Sequence, residues 1–374
     1  MELIFLGTSS AIPSKQRNHP AIALKAFGEV ILFDCGEGTQ RQLAIAKISP
    51  MKINKIFISH LHGDHVLGLP GLIQSMDFRD RKIPLDIYGP PGLFQLKSAI
   101  LRLGYCSLDF DIRIHELTGN FCSTLDDFAN SVNGKMSNTK NSNNNCNINN
   151  SNNNNNNINS NANSNNNNFD NCIINNGNTN NISSINNNIN NNENAGNLII
   201  NNDKYSIQFI KTDHGVCNLS YSFVEKKKPR FLRDKAIKLG VKPGPDFGKL
   251  HNGSEVKIGD RVVMPNDVLG EDRSGVKIVY SGDTRPNQGL ISLAKDADLL
   301  IHESTYCEDD KNKAIENNHS TSSEAALIAK CANAKNLVLT HISTRYNNTE
   351  DILKEACELF KNTKVAYDFM VLNI

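Results

Sequence analysis

Apolar residues in this chain recur in short runs of strand length, and segments with helical spacing separate them. Runs rich in Ile, Leu, Val and Phe predict β-strands at residues 2–6, 21–25, 30–33, 53–59, 85–88 and 111–117. Apolar residues at helical spacing predict helices at residues 37–48, 68–78 and 92–103. This alternation of strand and helix patterns indicates an α/β fold.

The second half of the chain repeats a strand, a turn and a helix three times. Strands are predicted at residues 205–211, 219–224, 277–281, 299–301 and 336–339. Helices are predicted near Gln288, at residues 322–332 with Ser322 and Ser323 as candidate caps, and at residues 349–360. Distinctive polar residues follow the carboxyl ends of these strands. Because α/β sheets build their sites at that edge, we expect these residues to meet.

An Asn-rich segment, residues 137–197, interrupts this pattern. Charged residues are rare within it, and its apolar residues are scattered. Such a segment cannot bury enough apolar surface to offset the entropy of ordering, so we expect a disordered insertion. An Asn-rich association segment is the alternative. Apart from this insertion, residues 1–374 fit a single domain.

Charge and cysteine content narrow the cellular setting but not the substrate. The formal net charge is +1, so no global field attracts nucleic acid and any basic surface must be local. The nine cysteines are odd in number and form no Cys-x-x-Cys pair, which indicates a reducing compartment. No stretch reaches the roughly 20 apolar residues of a membrane span. The apolar run at residues 3–6 is too short for a signal peptide, so we expect a cytoplasmic protein.

Three histidines and an aspartate lie within residues 60–65, directly after a predicted strand. In an extended chain His60, His62 and Asp64 point to one side, and Gly63 allows a turn toward a second ion. Three further candidates follow other predicted strands. We therefore predict two metal ions, one held by His60, His62, His214 and Asp283, and one by Asp64, His65, His341 and the other oxygen of Asp283. Zinc suits these ligands, and manganese or iron are alternatives.

Several segments together resemble the metallo-β-lactamase superfamily in order and type. They are Phe5-Leu6-Gly7-Thr8, Phe33-Asp34-Cys35-Gly36-Glu37-Gly38, the cluster at residues 60–65, His214, Ser281-Gly282-Asp283-Thr284 and Thr340-His341. Three more resemble the ribonuclease Z family in its short form. They are the loop at residues 13–18, His302-Glu303-Ser304-Thr305 with His319-Ser320-Thr321, and the Gly-Pro segment at residues 238–250.

The resemblance implies a fold, a reaction and roles for individual residues. The fold would be a four-layer αββα sandwich with an inserted flexible arm, residues 226–270, that binds tRNA. The enzyme would hold two zinc ions per subunit, act as a homodimer, and remove the 3′ trailer from precursor tRNA by hydroxide attack after the discriminator nucleotide. Asp64 would orient or deprotonate the water, and His319 would protonate the leaving oxygen, positioned by Glu303 or His302. Substrate contacts would come from Lys15, Arg17, Asn18, Gly244 and Pro245.

A cationic stretch at residues 226–242 supports an RNA substrate, although a solvated charged face is the plainer interpretation. A small-molecule phosphodiesterase or thioesterase of the same superfamily would share the ligands but would not need the arm or His319. A tRNA-binding subunit without activity would keep the fold but would not need the complete ligand set.

Overall fold

Most strands of the described residues form two large sheets of seven strands each. The computed structural model describes residues 1–103, 108–119, 196–271 and 273–374. Most of the predicted Asn-rich insertion lies outside the described residues. Its predicted last residue, Asn197, opens a strand instead.

The first sheet has the order β16-β1-β2-β3-β4-β5-β6. Its strands β3 to β6 are parallel, and β16, β1 and β2 extend it in antiparallel pairing. The strands are β1 (Glu2–Gly7), β2 (Ala21–Ala26), β3 (Glu29–Phe33), β4 (Ile53–Phe57), β5 (Leu85–Gly89), β6 (Ile112–Glu116) and β16 (Val371–Asn373). Its helices are Thr39–Ile45, Gly63–Val66, Leu69–Asp77 and Leu93–Leu101.

The second sheet has the order β15-β14-β13-β12-β9-β8-β7, with β12 to β15 parallel and the rest antiparallel. Its strands are β7 (Asn197–Asn201), β8 (Tyr205–Asp213), β9 (Cys217–Lys227), β12 (Arg273–Tyr280), β13 (Leu299–Glu303), β14 (Leu337–Thr340) and β15 (Thr363–Val365). Its helices are Gln288–Leu293, Lys311–Glu316, Ser322–Cys331 and Glu350–Leu359. Thr321, rather than the predicted Ser322 or Ser323, caps Ser322–Cys331, because its side chain accepts a hydrogen bond from the Glu324 backbone N–H.

Three apolar clusters separate four layers. Strand alternation sends Leu3 and Phe5 of β1 into the cluster between the two sheets, while Ile4 and Leu6 pack under the first sheet's helices. A third cluster packs the helices Gln288–Leu293, Ser322–Cys331 and Glu350–Leu359 onto the outer face of the second sheet. The layers therefore follow the predicted αββα order.

The segment between β9 and β12, predicted as the flexible arm, has a small core of its own. It contains the helices Arg233–Lys238, Pro245–His251 and Pro265–Val268, and a hairpin of β10 (Val256–Ile258) and β11 (Arg261–Val263). Its buried apolar cluster comprises Ala236, Val241, Leu250, Val256, Val263 and Val268. Across the described part of the chain, every helix is too short or too polar to cross a membrane.

Candidate active site

The seven side chains predicted as metal ligands lie together at the carboxyl ends of strands from both sheets. The cluster at residues 60–65 follows β4 of the first sheet, while His214, Asp283 and His341 follow β8, β12 and β14 of the second. Their ligand atoms form two groups, each within 4.8 Å: His60, His62 and His214, and Asp64, His65, Asp283 and His341.

Asp283 lies between these two groups. Its Oδ2 is 3.1 Å from His341 Nε2 and 3.3 Å from His65 Nε2. It is also 3.8 Å from the Nε2 atoms of both His60 and His214. Its buried Oδ1 accepts no hydrogen bond from the described residues. This central position, with one oxygen unused, suits a carboxylate that bridges two ions.

Four of the histidines are anchored through Nδ1, which leaves Nε2 facing the centre. His65 Nδ1 donates to Asp34 Oδ2 at 2.8 Å, and His214 Nδ1 donates to the Asn318 carbonyl at 2.8 Å. Similarly, the Nδ1 of His60 is 3.1 Å from Ser59 Oγ and the Nδ1 of His341 is 2.9 Å from Thr305 Oγ1. Metal-binding histidines are held in this way, because the anchored N–H fixes the tautomer and leaves a lone pair for the ion.

The Ser59 and Thr305 hydroxyls accept these ring protons because their own protons go to carboxylates. Ser59 Oγ donates to Asp34 Oδ2 at 2.9 Å, and Thr305 Oγ1 donates to Glu303 Oε2 at 2.8 Å. Each hydroxyl can therefore accept from the adjacent imidazole. His62 differs from the others, since it presents Nδ1, at 2.9 Å from His60 Nε2 and 3.3 Å from His214 Nε2.

The charges at this centre favour a bound cation. Burial and the neighbouring His65 lower the pKa of His60 well below its usual value, which keeps a neutral ligand ring. Burial alone would lower the pKa of His65 too, but Asp283 and Asp34 raise it well above its usual value. These two carboxylates thus stabilise a proton on His65 at the place where a metal ion would otherwise be bound. The site therefore fits divalent cations.

His319 and Glu303, the predicted acid and its positioning residue, lie beside the ligands. Glu303 ends β13 and is fully buried, and its Oε1 accepts from His319 Nδ1 at 2.9 Å. Burial lowers the pKa of His319, but Glu303 outweighs this effect and raises it to about 9. The His319 ring stacks on that of His341, with centroids 5.3 Å apart. The His302 side chain, the alternative positioning residue, instead contacts the Glu303 carbonyl through Nδ1 at 2.7 Å.

The predicted substrate-binding residues fall in two separate places. Lys15 is exposed on the loop after β1, whereas the Arg17 guanidinium donates to Thr8 Oγ1 at 2.7 Å and to the Ala366 carbonyl at 2.6 Å. Asn18 donates from its side chain to the Glu37 carbonyl at 2.7 Å. Gly244 and Pro245 are exposed at the start of the helix Pro245–His251.

Two supporting residues had no predicted role. Asp34 is fully buried and also accepts a hydrogen bond from Tyr280 OH at 2.6 Å, which links the two sheets behind His65. Arg285 donates to the His319 carbonyl and forms a bidentate ion pair with Glu324 at 2.7 and 2.6 Å. Asp34 follows β3 directly, so the strand-end argument that selected the predicted ligands could also have selected it.

Ribonuclease Z of Methanothermobacter thermautotrophicus is 46% identical over 374 residues, spanning 100% of this chain and 97% of the relative. The chain belongs to the ribonuclease Z family. Ribonuclease Z of Methanosarcina mazei is 35% identical over 376 residues, spanning 100% of this chain and 98% of that protein. Members of the family are endoribonucleases that hydrolyse phosphodiester bonds, and this chain is one of them.

Comparisons of structure and of family models agree with this assignment. Human tRNase Z, short form, superposes with a TM-score of 0.61 at 27% identity, covering 100% of this chain and 99% of the human chain. A model described as a beta-lactamase superfamily domain matches residues 268–342, and one described as Anti-Pycsar protein Apyc1 matches residues 1–179. These findings confirm the predicted metallo-β-lactamase fold and the predicted ribonuclease Z family.

Proposed function

We propose that this ribonuclease Z family member removes the 3′ trailer from precursor tRNA. The cut falls after the discriminator nucleotide and leaves a 3′-hydroxyl on the tRNA and a 5′-phosphate on the trailer. The supporting observation is the hydrogen-bonded pair His319–Glu303 beside the ligand cluster, with 2.9 Å between Nδ1 and Oε1. A small-molecule phosphodiesterase or thioesterase would not need this pair.

Two zinc ions per subunit are the proposed cofactors. One is held by His60, His62, His214 and Asp283, and the other by Asp64, His65, His341 and Asp283. When bound, such ions would lower the pKa of a coordinated water and would neutralise charge on a phosphate. The four inward-facing Nε2 atoms and the unused oxygen of Asp283 support this assignment.

In the proposed reaction Asp64 orients the attacking water and His319 supplies the proton to the leaving oxygen. Although burial raises the pKa of Asp64, hydrogen bonds from His341 and His65 lower it well below its usual range. Asp64 therefore remains a carboxylate and orients the attacking water rather than storing its proton. His319 protonates the departing 3′ oxygen, which suits its pKa of about 9, and Glu303 keeps it charged and oriented.

The tRNA is bound through its backbone in this proposal. The arm at residues 226–270, with Gly244 and Pro245 exposed, and the loop carrying Lys15, Arg17 and Asn18 provide the contacts. Cations on the arm bind phosphates without reading sequence, so affinity should fall steeply with salt. We further propose that the protein is cytoplasmic and that it forms a homodimer; sedimentation of the purified protein tests the homodimer.

A cleavage gel with one 3′-extended precursor tRNA tests the reaction, and elemental analysis of the same preparation tests the metals. We expect a single cut after the discriminator nucleotide and two zinc ions per chain. The variant His319→Ala should bind precursor but cleave it about 10²- to 10⁴-fold more slowly. Hydrolysis of a chromogenic phosphodiester without tRNA cleavage would favour the small-molecule alternative. Full activity with fewer than two ions per chain would exclude the dinuclear site.

A further inference from the structure

The loop after β1 is held by a carboxylate from the far end of the chain. Asp368 Oδ2 accepts hydrogen bonds from the Asn18 backbone N–H at 2.7 Å and from Gln42 Nε2 at 3.0 Å. Asp368 Oδ1 accepts from Thr8 Oγ1 at 2.8 Å. These donors come from both ends of the loop and from the helix Thr39–Ile45, so one carboxylate connects three segments.

The only guanidinium of this loop takes part in the same network. Arg17 Nη1 donates to Thr8 Oγ1, whose hydroxyl proton goes on to Asp368, and also to the Ala366 carbonyl. Arg17 is thus directed inward, toward the residues that flank Tyr367. Lys15, by contrast, is exposed, and its ammonium forms no ion pair or hydrogen bond with the described residues. The loop therefore turns one cation inward as an anchor and leaves the other free.

The base of the loop is joined to the active site. The backbone N–H of Ser9 donates to the Asn18 carbonyl at 2.9 Å and closes the loop. Ser10 N–H donates to the Ile342 carbonyl at 3.2 Å, and Ile342 N–H donates to the Thr8 carbonyl at 2.9 Å. Since Ile342 follows the proposed ligand His341, a change in the loop's position changes where Lys15 lies relative to the metal centre.

We propose that Asp368 is a positioning residue for substrate binding, which holds the loop so that Lys15 contacts an RNA phosphate near the cleavage site. The inference rests on the proposed function and refines it: Arg17 and the Asn18 backbone anchor the loop, and Lys15 is the contact. In Asp368→Asn an amide N–H₂ replaces one acceptor, and it then faces the Asn18 or Thr8 donor without a partner.

The test compares steady-state cleavage of precursor tRNA by Asp368→Asn, Lys15→Ala and the double variant. We expect each single variant to raise KM about tenfold with kcat nearly unchanged. The KM of the double variant should not exceed that of the single variant with the higher KM, because both changes remove the same contact. The matched control is Glu29→Gln, which removes a carboxylate bound to Lys55 and Tyr205 away from the loop and should leave KM unchanged.

A merely structural role gives different results. Asp368→Asn would then lower kcat, or its effect on KM would add to that of Lys15→Ala, and either outcome overturns the proposal. If Asp368→Asn does not fold, Thr8→Val decides, because it removes the hydroxyl between Arg17 and Asp368 and should raise KM in the same way. Wild-type protein that hydrolyses a chromogenic phosphodiester but not precursor tRNA would refute the proposed function itself, and this inference with it.

Discussion

Replacing Glu303 by Gln should convert His319 from an imidazolium into a neutral ring near neutral pH. Glu303 Oε1 accepts from His319 Nδ1 at 2.9 Å and from the backbone N–H groups of Ser320 and Thr284 at 3.0 and 3.1 Å. Its Oε2 accepts from the Thr305 N–H and hydroxyl at 3.0 and 2.8 Å. Burial raises the pKa of Glu303, but His319 lowers it by a larger amount, so the carboxylate stays ionised.

The size of the effect follows from the pKa of His319. Burial opposes the imidazolium, yet Glu303 raises the pKa from 6.5 to about 9, a preference of about 3 kcal/mol for the charged form. Glu303→Gln keeps the burial and removes the largest charge that raises the pKa of His319, so this pKa should fall well below about 9. A general acid works only when protonated, and the cleavage rate above neutral pH should therefore fall about 10²- to 10⁴-fold.

Single-turnover cleavage, measured from about pH 6 to about pH 10, gives the pH at which the rate begins to fall. Bound cations lower the pKa of His319 in both proteins. We therefore predict a difference between them: the rate of Glu303→Gln should begin to fall at a lower pH than the rate of the wild-type enzyme. The control is Asp298→Asn, which removes a carboxylate bound to Lys335 and the Lys277 N–H at the opposite end of β13. A Glu303→Gln enzyme that cleaves at the wild-type rate, and whose rate begins to fall at the same pH, would refute the role assigned to this pair.

Three further predictions concern the metals and the arm. Asp34→Asn should weaken zinc binding about 10- to 100-fold, because His65 loses its anchor, as competition with a chromogenic chelator would show. In urea unfolding, the metal-free protein should lose stability as pH rises from about 7 to about 9. The pKa values of His65 and His319 are raised in the folded state, so these rings stabilise it only while they are protonated. A free energy of unfolding that stays constant over this range would contradict the prediction. Leu250→Ala, which removes a fully buried side chain from the arm's core at a cost of about 2–5 kcal/mol, should weaken tRNA binding while zinc content and chromogenic hydrolysis stay unchanged.

Much of the fold could be predicted because strand and helix patterns are local. Predicted strands at residues 2–6 and 21–25 match β1 and β2 to within one residue at each end. The proposed ligands could be selected from the sequence because each follows an apolar run, and parallel strands bring their carboxyl ends to one edge. The predicted helix cap is wrong by one residue. Thr321 and Ser322 are both suitable capping residues, and which of them caps the helix depends on where the backbone changes from extended to helical.

The strand-end argument could have selected Asp34, but neither the backbone conformation at this edge nor the contacts behind the proposed ligands could be predicted from the sequence. Asp34 and His341 have φ angles of 55° and 59°, a backbone region that side-chain-bearing residues rarely adopt, and no glycine marks either position. The link between Asp34 and Tyr280 joins residues 246 positions apart, on different sheets. Such a contact depends on how the two sheets face each other, which periodicity within a strand does not encode. The same holds for Asp368 and the loop after β1.

The division of the site between the two sheets suggests what bound ions do for the fold. The residues at 60–65 belong to the first sheet, whereas His214, Asp283 and His341 belong to the second. Apart from the apolar cluster, hydrogen bonds such as Tyr280 OH to Asp34 and Tyr221 OH to the Ile58 carbonyl connect the sheets at this edge. Ions held by ligands from both sides would act as additional cross-links between the sheets. Because such ions bind the folded state alone, their removal should destabilise the contact between the sheets and not only the loops that carry the ligands.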